Sequence, residues 1–154
     1  MLIVEDGTGL PDAESYASAA TASSHFAKRG VDAWGELSED AKDAALRNAT
    51  DYMEAVFGLL WRSVRKTEEQ ALSWPRVGWG GVPEPVIRAC CELALKASTG
   101  PLLPDQAAQV KQETVGPITV VYQDGARQGT YYAYVNEMLR PLLRSADSLD
   151  VVRA

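Results

Sequence analysis

From Ser38 onward, apolar side chains recur at three- and four-residue steps: Ala45, Ala49, Met53, Val56 and Leu60. That period puts them on one face of a helix, which must be buried against other elements. Ser38 suits the N-cap, and Glu39 and Asp40 fill the first turn, where carboxylates meet the positive end of the helix dipole. Arg47 and Asp51, four residues apart, are expected to pair on the outer side.

Other helices are expected around this one. Ser18 is a fitting N-cap for a helix over Ala19–Arg29, with Ala19, Ala22 and Phe26 inward and Gly30 free to take the left-handed conformation that ends it. Before it, Asp6-Gly7-Thr8-Gly9 is turn chemistry and Ser15-Tyr16-Ala17 reads as a short strand. Pro83-Glu84-Pro85 opens another helix, striped by Val86, Cys90, Leu93 and Ala97 and stopped by Gly100-Pro101. Between these lies an irregular stretch, 61–82, in which Thr67-Glu68-Glu69-Gln70 could cap one short helical turn and the Trp74-Pro75 bond favours an extended Trp74.

After residue 109 the period changes to two. Ile118, Val120 and Tyr122 alternate with Thr119 and Val121, so Val110–Tyr122 reads as two strands with Gly116-Pro117 between or within them. A last helix is expected over about Tyr132–Leu143, carrying Val135, Met138, Leu139 and Leu142, with Pro141 confining its end to a loose turn. The expected fold is mainly α: a small bundle of about four helices with a β-hairpin inserted before the C-terminal helix. A chain of 154 residues fits one domain, here 1–145, followed by a flexible tail at 146–154.

The chemistry that remains is sparse. His25 is the only histidine, and with no second histidine or separated cysteine pair a zinc site cannot be completed. It is expected to be structural or solvent-facing. Cys90 and Cys91 are adjacent, a strained geometry for a bridge, and read as small core residues of a reducing compartment. There is no strand-to-helix glycine loop for phosphate and no nucleophile elbow. No catalytic, cofactor or metal site is expected. No run approaches the roughly 18 apolar residues of a membrane span, and the acidic start Met1-Leu2-Ile3-Val4-Glu5-Asp6 is unlike a signal peptide.

Net charge is −6, and residues 1–60 hold 11 acids against 4 bases. Such a chain is a poor general binder of phosphate backbones. One stretch runs against that trend: Trp61, Arg62, Arg65 and Lys66, with Trp74, Arg76 and Trp79 following. Interleaved cations and aromatics can hold a single strand by stacking and charge. Equally, the tryptophans can bury against the neighbouring helices and leave the cations in water.

Several segments, in order, resemble a known group of phage and prophage proteins. They are Met1 through Tyr16, Ala49-Thr50-Asp51-Tyr52, Gln70-Ala71-Leu72-Ser73-Trp74-Pro75-Arg76, Val82-Pro83 through Leu93-Ala94, Lys111-Gln112-Glu113-Thr114-Val115-Gly116-Pro117-Ile118-Thr119-Val120-Val121-Tyr122, and Leu139-Arg140-Pro141-Leu142-Leu143. The group is often labelled DnaT-like single-stranded DNA-binding. The same order of features is similar to the wider head–tail connector family of tailed phages.

The connector resemblance implies a non-enzymatic ring subunit in the virion neck, present in the host cytoplasm before assembly. Its partners would be the portal protein, copies of itself in a ring that follows the portal's twelvefold symmetry (a dodecamer), and the next neck or tail component. Double-stranded DNA would pass through the channel without specific binding. In related connectors the C-terminal region reaches the portal, which here assigns Tyr131, Tyr132, Val135, Met138, Leu139, Arg140, Leu142, Leu143 and Arg144 to portal docking. The subunit or neck interface is expected at Val115, Ile118, Val120, Tyr122, Trp74, Arg76 and Trp79, where open strand edges and aromatic anchors suit protein contact. The alternative is a single-stranded DNA-binding accessory protein, with Trp61, Arg62, Arg65 and Lys66 as contacts.

Overall fold

A computed structural model describes residues 1–105, the backbone of 112–115 and 118–121, and residues 130–144. Its helices are α1 (Ala19–Ala27), α2 (Glu39–Phe57), α3 (Glu84–Ala97) and α4 (Ala133–Leu139), and its strands are β1 (Gln112–Val115) and β2 (Ile118–Val121). The domain is mainly α, as the apolar periodicity requires.

The helix starts follow their caps. Ser18 Oγ accepts from the Thr21 N–H at 3.0 Å and Ser38 Oγ from the Ala41 N–H at 3.3 Å. Pro83 precedes α3 with no side-chain cap, and Pro85 sits in the first turn, where its missing N–H leaves no helical bond unmade. α1 stops at Ala27, two residues short of Arg29, because Lys28 and Arg29 already enter the turn that Gly30 closes at φ +65°.

α2 and α3 form the main packing pair. Ala45, Ala49 and Met53 of α2 are buried as expected, joined by Leu46, Thr50, Tyr52 and Phe57. The apolar face does not reach Leu60: α2 ends at Phe57, so Leu60 is half-exposed. α3 buries Val86, Ala89, Cys90, Cys91, Leu93 and Ala94, while Ala97 packs at the margin. The two cysteines are free, and burial, then the neighbouring Cys90, pushes the Cys91 thiol up to about 12. Neither thiol is poised for redox work at neutral pH.

The N-terminal segment is tied down by carboxylates. Glu5 is buried and accepts from the N–H groups of Gly7, Gly9 and Leu10, each at 2.8 Å. Gly7 and Gly9 both sit at φ +94°, which a side chain would resist. Where Ser15-Tyr16-Ala17 was expected as a strand there is a single bridge, Val4 to Ser15.

Glu14 receives the Arg47 guanidinium, with Nε and Nη2 each 3.0 Å from a carboxylate oxygen. This replaces the expected Arg47–Asp51 pair, because a two-pronged fork to a fixed carboxylate is stronger than a single contact along one helix face. The Arg47 hydrogen bond, then the Ile3 N–H, holds the Glu14 carboxyl down at about 2 against an ordinary 4.5. A lowered native pKa contributes stability that is complete above the unfolded value and lost as pH falls through the folded one. Wild-type protein should therefore lose more stability between pH 4.5 and about 2 than Arg47→Ala does. Urea denaturation across that window checks this; parallel curves would refute it.

The C-terminal segment completes the core. Val135 and Leu139 of α4 and Leu142 of the following 3-10 turn (Arg140–Leu142) are buried. Of the span expected to about Leu143, the α-helix stops at Leu139 and the part around Pro141, which has no N–H to extend it, is the loose 3-10 turn. β1 and β2 pair antiparallel, with Gln112 opposite Val121 and Val115 opposite Ile118. Val110, Gly116-Pro117, Tyr122 and the tail expected to be flexible lie outside the described residues. Among the described residues, no helix is long and apolar enough to cross a membrane.

Candidate functional site

The Trp-rich stretch was the strongest sequence candidate, and its polar ties decide where its rings go. Gln70 binds twice to Thr67: its side-chain oxygen accepts from the Thr67 N–H at 2.9 Å, and its own N–H donates to Thr67 Oγ1 at 3.2 Å. These are the reciprocal bonds of a capping box, formed here without a helix. Gln70 Nε2 donates instead to the carbonyls of Leu72 and Pro75, at 2.8 and 3.0 Å, and bends the chain back.

Glu54 on α2 fixes the other side. Its carboxylate accepts from Ser73 N–H at 3.1 Å and Ser73 Oγ at 2.6 Å, and from the Tyr16 hydroxyl. The Trp74 N–H then donates to that hydroxyl at 3.2 Å. Burial first, then the Glu54 charge, pushes the Tyr16 phenol well above its ordinary range, so it stays a neutral donor.

These ties turn Trp61 and Trp74 inward, and both are fully buried. Phe57, Trp61, Trp74 and Trp79 form a ring-to-ring column with centroids 5.8, 5.6 and 5.3 Å apart. Trp61 therefore offers no face to a base, and Trp74 no anchor to a neighbouring subunit: tertiary packing has claimed both. Arg76 is buried too, donating to the carbonyls of Arg62, Ser73 and Ser63 at 2.7, 3.0 and 2.6 Å. It is a brace for the loop, not a contact residue. Burial, then the Arg144 charge, lowers its pKa, though a guanidinium so held stays charged.

What remains outside is smaller. Trp79, at the end of the column, is 39% exposed, beside exposed Val64 and Val77. Arg62, Arg65 and Lys66 are exposed on the same loop. Arg62 Nε donates to the Leu143 carbonyl at 2.9 Å and Lys66 Nζ to the Gly7 carbonyl at 3.1 Å. Ser63 between them holds φ +65°, unusual for a residue with a Cβ, and its Oγ donates to the Val77 carbonyl at 2.7 Å.

The C-terminal candidates divide by face. Val135, Leu139 and Leu142 are core residues of this chain, and Met138 and Leu143 pack against the core. The apolar stripe expected to dock a portal is thus already covered, because the domain's own helices offer it a surface at no cost in translational freedom. Tyr132 is half-buried, edge-on to Tyr52 at 5.5 Å, with its hydroxyl donating to the Leu102 carbonyl at 3.2 Å. Tyr131, Arg140 and Arg144 are exposed; Arg140 lies 3.4 Å from Glu137, and Arg144 Nε donates to the Trp61 carbonyl at 3.1 Å. Sequence reasoning passed over Tyr134, which is also exposed. Its place three residues after Tyr131, off the Val135–Leu139 stripe, was the available signal.

For the strands, Val115 pairs with Ile118 and Val120 with Glu113 along the backbone; Tyr122 lies outside the described residues. His25 is buried with Nε2 2.8 Å from Glu92 Oε1, and no group of three or more histidine, cysteine or acidic side chains among the described residues could hold a metal.

The sequence model of the "Putative DnaT-like ssDNA binding protein" family matches residues 1–154. The chain belongs to that family. No curated protein and no solved structure matches it. The family match spans the whole chain, so the Trp79 loop, the strand pair and the exposed side of α4 all lie within the matched residues.

Proposed function

We propose that this DnaT-like family member is a non-enzymatic structural subunit of a tailed-phage particle, a head–tail connector that assembles with its own copies and joins the portal to the next neck component. The observation that carries the reading is the burial of Trp61 and Trp74, which leaves the most nucleic-acid-like segment without its stacking platform. Three further features support it. The chain is acidic, with net charge −6, which suits a channel that passing DNA must not stick to. The two strands pair only with each other among the described residues, so each keeps one edge able to accept a partner strand. Tyr131, Tyr134 and Arg140, on and beside α4, are exposed, which makes them better candidates for a portal contact than the buried stripe.

A second reading, single-stranded DNA binding, is favoured by the description of the family. It would rest on Trp79 with Arg62, Arg65 and Lys66. Fluorescence anisotropy with a labelled oligonucleotide separates the two. The connector reading expects dissociation constants near or weaker than about 10⁻⁴ M at physiological salt, the weak end of non-specific binding. Submicromolar binding with a steep salt slope, lost in Trp79→Ala and Arg65→Ala proteins that remain folded, would replace it with the second reading.

A further inference from the structure

Between α1 and α3 lies a cleft of about 550 Å³. Lys28, Arg29 and Arg88 line it, with Glu84 as an acid on its wall and buried His25 already engaged by Glu92. In a chain of net charge −6 this is a local reversal of sign. No aromatic ring other than the His25 imidazole lines it, so it offers little for base stacking.

Arg88 sets this cleft apart. Arg47 is clamped by Glu14, Arg76 by three carbonyls, and Arg29 donates to the His25 carbonyl at 2.9 Å. Arg88 has one contact at the limit of hydrogen bonding, Nη2 to the Tyr134 hydroxyl at 3.5 Å, and its buried Nε has no acceptor. An unsatisfied nitrogen of a charged group is costly to keep. A small turn of the side chain would present its two-pronged fork, whose natural complement is a carboxylate.

We propose that this cleft is a carboxylate-binding site filled by the acidic segment at the start of α2 of a second copy of this chain. Glu84 on the wall disfavours a doubly charged phosphate more than a singly charged carboxylate. The donor is present in the sequence: Asp32, Glu36 and Asp40 are exposed, and none makes an ion pair among the described residues. The contact joins two different patches, so it either repeats head-to-tail into a ring or array or is made twice about a two-fold axis. The proposal rests on the reading of the chain as an assembling subunit.

Sedimentation velocity on the full chain, over a dilution series at low and high salt, tests it. The wild type should associate at low salt and dissociate as salt screens the contact. Arg88→Glu, or Glu36→Arg with Asp40→Arg, should each weaken association by about tenfold or more, and the combined charge-reversed protein should recover most of it. Circular dichroism confirms that each variant folds; Lys28→Glu, fully on the surface, replaces Arg88→Glu if that variant does not. Monomers at about 0.5 mM and low salt overturn the contact, since even millimolar affinity would show there. Association that ignores the charge reversals, or is not recovered by combining them, overturns it too. The connector reading is decided separately, by whether particles complemented with the wild-type chain join tails to heads.

Discussion

Trp74→Ala is expected to remove about 3–5 kcal/mol of folding stability, the range for deleting a fully buried large aromatic side chain. Trp74 is the middle of the ring column, touching both Trp61 and Trp79, and its backbone N–H is bound to Tyr16. Small domains have only about 5–15 kcal/mol in total, so the loss takes about a fifth or more of the reserve. Trp61→Ala belongs in the same range. Trp79→Ala should cost clearly less than either, since Trp79 is 39% exposed and ends the column with a single ring neighbour, Trp74. Urea denaturation followed by circular dichroism gives the three values. A Trp74→Ala protein within about 1 kcal/mol of wild type would show that this loop is not part of the core. The same numbers govern how DNA-binding experiments are read: a defect in Trp61→Ala or Trp74→Ala protein reports folding, whereas Trp79→Ala probes a surface.

Removing the chain from residue 130 onward is expected to abolish folding. The cut takes Val135, Leu139 and Leu142 out of the core together, and Leu139→Ala alone should cost about 2–5 kcal/mol. Phage heads that fail to gain tails with such a truncated protein would therefore say nothing about the portal. The informative variants are on the other side of α4. Tyr131→Ala, Tyr134→Ala and Arg140→Glu should each stay within about 1 kcal/mol of wild type, as surface changes do, yet on the connector reading they together block the joining of tails to DNA-filled heads. Complementing a deletion phage with the triple variant and imaging the particles decides it. Infectious virions carrying a folded triple variant would remove this face from the portal contact.

Much of the helical frame was legible because caps and apolar period are local signals. Ser18, Ser38 and Pro83 each mark a helix start, and Ala45–Ala49–Met53 marks the buried face. The errors that bear on the candidate site are questions of partner. An apolar stripe such as Val135–Leu139–Leu142 says that a face is covered but not by what, and this domain covers it itself. Arg47 had a local acid at Asp51 and chose Glu14, 33 residues upstream. Tryptophan is at home in cores and in interfaces alike, so composition left both readings of Trp61 and Trp74 open. What turned them inward is a set of bonds joining Tyr16, Glu54, Gln70 and Ser73, which no spacing rule connects. The cleft between α1 and α3 was invisible for the same reason: its cations come from residues about 60 positions apart in a chain whose average charge is negative.

Near the end of the described chain, residues 142–144 lie alongside 60–62. The Arg62 N–H donates to the Leu142 carbonyl at 3.0 Å and the Arg144 N–H to the Leu60 carbonyl at 2.7 Å. The two arginine side chains cross over, Arg62 Nε gripping the Leu143 carbonyl and Arg144 Nε the Trp61 carbonyl. This clasp is a mechanical fixture. Tension applied to the chain beyond residue 144 reaches four hydrogen bonds at once, and through Trp61 it bears on the ring column and the end of α2. A subunit pulled from its C-terminus would pass load straight into its buried ring column, and would yield only when that column does.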